Sequence, residues 1–176
     1  MSNISDYIAV IIDNRGKNPP YYSDDGKYLV LDNFLINGDR YPDPNRVKRR
    51  IDDRVHETFI RKYATKNDLA VTLVGNGCGK CCLIPSDKWV IIQNAIGLKP
   101  KENLDTRFLY YYLTLNRQRV VQLDGGSSQP NVRMDNFLSL SVDFPDREKQ
   151  EKISDVLSAI DTKIELIRML QPRHPA

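Results

Sequence analysis

The 176-residue sequence has little of what catalytic sites are commonly built from. Histidine occurs only at His56 and His174, and no serine or cysteine makes a nucleophile–base set with either. No GxxxxGK[ST] segment is present to cradle a nucleotide phosphate. Acidic residues are scattered, so nothing resembles a nuclease cluster. Cysteine occurs three times, as Cys78, Cys81 and Cys82, an odd and local set that makes no disulfide framework and points to a reducing compartment. A tetrahedral zinc site takes four ligands, and both histidines lie far from the cysteines in sequence. Small buried residues in a hairpin are the simpler reading of these thiols. No catalytic residue, metal or cofactor is therefore expected. Apolar runs stay well short of the ~20 residues that cross a bilayer. The N-terminus MSNISDYIAVIID lacks the basic head and small-residue cleavage site of a secretory signal. The cytoplasm is the expected location, with no membrane partner.

A net charge of +3 excludes a histone-like polycation, but the charge is unevenly placed. Residues 39–66 hold nine Lys/Arg against five Asp/Glu, a local excess larger than that of the whole chain. Such a patch suits contact with phosphates. Hydrophobic content of 40% supports a real core, and the length fits one domain with one appended element.

The spacing predicts strands at 28–32 (YLVLD), 69–74 (LAVTLV), 81–84 and 89–92 (WVII). Between the second and third, Gly75-Asn76-Gly77-Cys78-Gly79 predicts a hairpin tip, since glycine permits the positive φ values that such turns require. Asp105 is placed to cap a helix reaching about Leu123, and a polar loop at 124–131 leads to a short strand ending at Phe144. The charged stretch 46–66 carries Ile51, Val55, Phe59 and Ile60 at irregular spacing and is left unassigned.

The clearest element is the last. Asp146 can cap a helix running to residue 170, with Pro172 beyond its end. Ile153, Leu157, Ile160, Ile164 and Ile167 recur at spacings of four and three, a heptad seam opposite a charged face. Packing on the domain and pairing with another helix both fit a stripe this narrow. The strict 3.5-residue period favours a partner helix, and these five residues are the expected interface.

Asn18-Pro19-Pro20-Tyr21 matches the loop with which DNA adenine methyltransferases hold a flipped base. Methyl transfer would also need a glycine-rich donor site after a strand, and none follows a convincing strand. What remains is a set of DNA-binding side chains. Arg46, Lys48, Arg49, Arg50 and Arg54 can neutralise phosphates. Asn76, Lys80, Gln93, Asn94, Ser127, Ser128, Gln129 and Asn131 lie in turns and loops, and amides and cations are the groups that pair with base edges.

Several segments together resemble the specificity subunits of type I restriction–modification systems. Residues 13–26 (DNRGKNPPYYSDDG) look like the family's opening RGK-x-P stretch, and 67–84 (NDLAVTLVGNGCGKCCLI) like its strand–glycine–strand hairpin. Gln93-Asn94, 105–115 (DTRFLYYYLTL), 126–131 (GSSQPN) and 144–160 (FPDREKQEKISDVLSAI) follow in the family's order. The resemblance covers nearly the whole chain. It implies a mixed α/β (α+β) fold: a target recognition domain at 1–144 with a twisted mixed sheet, then a coiled-coil spacer helix at 145–176. It implies double-stranded DNA as ligand, with modification subunits, and through them a restriction subunit, as partners. One recognition domain and one helix look like a half-length or truncated subunit, pairing with a copy of itself or with another half. An autonomous adenine methyltransferase and a coiled-coil protein adaptor are the alternatives.

Overall fold

The computed structural model describes residues 2–16, 18–124 and 130–170. Among these described residues nine strands and six helices run in chain order: β1 (Ser2–Asn3), α1 (Ile4–Tyr7), β2 (Ile8–Ile12), β3 (Tyr28–Leu31), β4 (Arg50–Ile51), α2 (Asp53–Phe59), β5 (Leu69–Thr72), β6 (Cys81–Leu83), β7 (Trp89–Ile91), β8 (Ala95–Pro100), α3 (Thr106–Leu115), α4 (Arg117–Val121), α5 (Met134–Leu138), β9 (Ser141–Val142) and α6 (Arg147–Leu170). Short 3-10 turns lie at Asn33–Leu35 and Pro44–Arg46.

The central sheet has the order β2-β8-β5-β6 and is antiparallel throughout. A second sheet, β4-β3-β7, is mixed: β3 runs parallel to β7 and antiparallel to β4. β1 and β9 form a separate ribbon. Mixed α/β architecture with a long C-terminal helix is therefore the observed class.

Strand alternation divides the interior in two. Leu69, Val71, Leu83 and Leu98 face a helical layer with Leu109, Leu113 and Phe137. Ala70, Cys82 and Ala95 face Leu31, Trp89 and Ile91 of the second sheet. All four residues of β5 are buried, so the period of two separates two cores rather than core from water. Close approach on the second side is possible because the residues there are small. At Gly97 a Cβ would lie 2.7 Å from Ile91 Cδ1 and 3.0 Å from the Cβ of Ile12. That glycine also explains why β8 is not legible from the sequence. A strand interior lacking a side chain, and ending in proline, has no period to read.

The expected hairpin forms, with Val71 opposite Cys81 and left-handed glycines at Gly75 and Gly79. Two expectations change in detail. The helix expected from Asp105 to about Leu123 breaks at Asn116, whose backbone leaves helical values and whose side chain bonds back to the Tyr112 carbonyl at 2.9 Å. The unassigned stretch 46–66 becomes β4 and α2, the latter capped by Asp52 accepting from the Val55 N–H at 2.9 Å.

The last helix docks by its polar residues. Asp146 caps it, accepting from the Lys149 N–H at 2.9 Å. Gln150 and Ser154 are fully buried against Asp105, the residue that also caps α3. Farther along, Asp161 accepts from the Tyr111 hydroxyl at 2.8 Å, and Glu165 from the Arg40 guanidinium at 2.7 Å. The heptad stripe beside this face is not covered: Ile153, Ile160, Ile164 and Ile167 are exposed and Leu157 is half-buried. No helix among the described residues is long and apolar enough to cross a membrane.

Candidate nucleic-acid interface

The ends of several elements meet at one end of the central sheet. β5 leads into Leu73, whose N–H donates to the Asn94 carbonyl at 2.9 Å. Gly75 donates to the Pro130 carbonyl at 2.8 Å, and Val74 forms an isolated bridge with Asn131. The hairpin tip, the Gln93–Asn94 corner and the loop before α5 are thus stitched side by side. A cleft of about 650 Å³ opens there, lined by Asp13, Arg15, Asn18, Val74, Gln93 and Asn94 among others. Asn76 on the tip and Asn131 beside Val74 are exposed, while Lys80, just after the tip, is half-buried. Ser127, Ser128 and Gln129 lie outside the described residues.

Gln93 adopts a left-handed backbone, φ 63°. For a residue with a Cβ this costs on the order of 1–3 kcal/mol and persists only where the surroundings hold it. Its side chain is held at both ends: Oε1 accepts from Arg49 Nη2 at 2.8 Å, and Nε2 donates to Asn18 Oδ1 at 2.7 Å.

The basic run divides into residues that are tied and residues that are free to meet a ligand. Arg49 is tied. Its Nε and Nη2 donate to the Asp32 carboxylate, Nη1 donates to the Tyr22 hydroxyl, and Nη2 also reaches Gln93. The hydrogen bond to Asp32, first among the causes, raises the guanidinium pKa further above its ordinary value. Arg49 is therefore held behind the cleft residue Gln93 by its own partners, where the sequence alone offered a phosphate contact. Arg50 is half-buried on β4. Arg46 and Lys48 are exposed and lie over the Phe34 ring, at 5.8 and 5.2 Å from its centroid. The neighbouring Asn33 donates to the carbonyl of the cleft residue Val74 at 3.4 Å. Arg54 is exposed in the first turn of α2.

Arg15 is a cleft residue that the sequence reading missed. Its Nε and Nη2 each donate to the Asp13 carboxylate at 2.9 Å. This pairing, above all the side-chain hydrogen bond, holds the Asp13 carboxyl below its ordinary pKa. The acid in the cleft is thereby neutralised by a neighbour rather than left to repel an anion. Asn18 was read as part of a methyltransferase-like motif and of the family's opening stretch, but not as a DNA-contacting residue. No local signal marked it, because its neighbour Gln93 is 75 residues away.

The three thiols are buried and free. Burial pushes the Cys81 thiol up to about 12, only partly offset by its contact with Thr114, and pushes Cys82 upward as well. They are packing groups without nucleophilic character.

Comparison with known proteins adds to this geometry. Residues 16–172 match the family model described as Type I restriction modification DNA specificity domain. The chain is 32% identical over 170 residues to the putative type I restriction enzyme MjaX specificity subunit of Methanocaldococcus jannaschii, covering 92% of this chain and 36% of that protein. It is 26% identical over 113 residues to the type I restriction enzyme HindI specificity subunit of Haemophilus influenzae, covering 60% of this chain and 25% of the relative. In three dimensions it is similar to the HsdS subunit from Thermoanaerobacter tengcongensis, with a TM-score of 0.68 at 17% identity, covering 98% of this chain and 39% of that one. At that identity the likeness shows the fold alone. The chain spans well under half the length of each of these proteins.

Proposed function

The chain belongs to the type I restriction–modification DNA specificity family, and on that premise we propose that it reads one half of a bipartite DNA site, without itself cutting or methylating. The observation that carries the reading is the cleft at the end of the central sheet. Asn18, Gln93 and Asn94 line it, Asn131 pairs with the cleft residue Val74, and Asn76 is exposed on the adjoining hairpin tip. The exposed Arg46 and Lys48 lie over Phe34, whose neighbour Asn33 bonds to Val74. Amides serve base edges and cations serve phosphates, so the two groups divide sequence readout from positioning.

In this reading residues 1–144 are the recognition domain and 145–176 the spacer. The exposed heptad stripe of α6 supports pairing with a second helix, from another copy or another half-subunit. Five Ile and Leu side chains at roughly 1.5–3 kcal/mol each offset the freedom lost on association. A 24-residue helix is about 36 Å long, close to the ~34–36 Å of one DNA turn. Two recognition domains held that far apart would read two short half-sites with an unread gap. If the pair is two-fold symmetric, those half-sites are inverted repeats. Modification subunits would bring the methyl-transfer chemistry, and a restriction subunit the cleavage, in the cytoplasm where the DNA lies.

The test is co-expression of the chain with its neighbouring modification subunit in a methylation-free host, followed by genome-wide mapping of methylated adenines. A split motif is expected, and its symmetry reports whether the chain pairs with itself. An assembled complex that methylates without any sequence preference would refute the reading.

A further inference from the structure

The segment Asn18-Pro19-Pro20-Tyr21 has no methyl-transfer role in the reading above, yet it is built to hold one side chain still. Two consecutive prolines restrict its backbone, and Pro19 is buried. Tyr21 donates to Asp52 Oδ2 at 3.0 Å and so pins the far end. Its first residue lines the cleft.

The orientation of the Asn18 amide follows from a relay that begins at a charged pair. Asp32 is nearly buried and can only accept, so it fixes the Arg49 guanidinium from one side. A guanidinium can only donate, and the Gln93 atom 2.8 Å from it must therefore be the amide oxygen. Gln93 then turns its nitrogen to Asn18, at 2.7 Å, and the atom receiving it must be the Asn18 oxygen. By elimination the Asn18 NH2 group is left at the cleft, and among the described residues it has no hydrogen-bond partner. A free Asn amide can flip to present either donor or acceptor. This one cannot flip without setting two NH2 groups against each other.

We propose that Asn18 is a base-reading residue, fixed as a hydrogen-bond donor by the Asp32–Arg49–Gln93 relay, and that it selects a keto base, guanine or thymine, at one position of the half-site. The inference rests on the DNA-recognition reading and deepens it. Guanine O6 and thymine O4 accept such a hydrogen bond in the major groove. At that same edge position adenine and cytosine carry an amino donor instead, and donor would face donor; N7 accepts on both purines and does not tell them apart. Arg49 and Gln93 act through Asn18 and are positioning residues.

The experiment is selection of bound duplexes from a randomised DNA library by the full chain, with sequencing of the enriched pool. Wild type is expected to enrich a motif containing a keto-only position. Asn18→Asp is nearly isosteric and replaces the donor by an acceptor. It should switch that single position from guanine or thymine to adenine or cytosine, a change of roughly tenfold in the base ratio, with the other positions unchanged. Gln93→Met and Arg49→Met free the amide to flip and should make the same position degenerate. A merely structural role would weaken every position together. Because Arg49→Met leaves Asp32 unpaired and can prevent folding, the surface variant Asn18→Asp decides. An unchanged motif with Asn18→Asp, or a uniform loss across all positions, overturns the assignment while leaving recognition intact. No motif from wild type defeats the recognition reading itself, and this inference with it.

Discussion

Replacing Gln150 tests what holds the long helix to the rest of the chain. Gln150 is 1% exposed; its Oε1 accepts from the Asp105 N–H at 2.8 Å. Its Nε2 donates to the Asn103 and Pro145 carbonyls at 3.1 and 2.8 Å. Alanine removes all three bonds and leaves three backbone groups without their partner. With each net bond worth about 1 kcal/mol, and some desolvation cost for the orphaned groups on top, the loss is at least about 3 kcal/mol. That is a large share of a total of roughly 5–15 kcal/mol. Gln150→Glu keeps the volume but turns an oxygen toward two carbonyls, so it should cost at least as much. Ile160→Ala, on the apolar stripe at 49% exposure, should stay within about 0.5 kcal/mol. Urea unfolding followed by far-UV circular dichroism reads all three. Protein concentration is kept low so that pairing does not add to the apparent stability. A loss below about 1 kcal/mol for Gln150→Ala, or a larger one for Ile160→Ala, would refute polar docking and mean that the stripe itself grips the domain.

The stripe should instead govern self-association: Leu157→Lys with Ile160→Lys is expected to give monomers in sedimentation experiments without loss of helix, and a persistent dimer would place the interface elsewhere. Arg46→Ala and Lys48→Ala should each weaken binding evenly across DNA sequences and lower the slope of log K against log salt by about 1. An unchanged slope would remove these two cations from the phosphate contact. His56 stacks on Tyr28 with ring centroids 3.6 Å apart, and burial, the leading cause, lowers its pKa below 6.5 despite Asp53 and Glu57 nearby. The unfolded chain therefore takes the proton more readily, so the contribution is whole above 6.5 and is lost as pH falls below it. Wild type should lose more stability than His56→Phe between pH 7 and pH 5, and equal losses in denaturation midpoint would contradict this.

Local pattern determined much of this protein. The heptad spacing, Asp105 and Asp146 as caps, and the glycines around Asn76 act within a few residues of themselves, and each produced the element it specified. Family membership was legible for a related reason, since ordered short motifs survive in the chain without reference to their contacts. The tertiary structure decided what those elements face. The last helix is amphipathic by sequence, but only the placement of Asp105, Tyr111 and Arg40 makes its polar side the docked one. β8 escaped notice because Gly97 answers to Ile12 and Ile91, which are distant in sequence. Arg49 read as a free cation because nothing in 46–54 reveals Asp32, Tyr22 or Gln93 beside it. Charge and period are properties of neighbours along the chain, whereas the occupancy of a guanidinium or an amide depends on partners that only folding brings within hydrogen-bond reach.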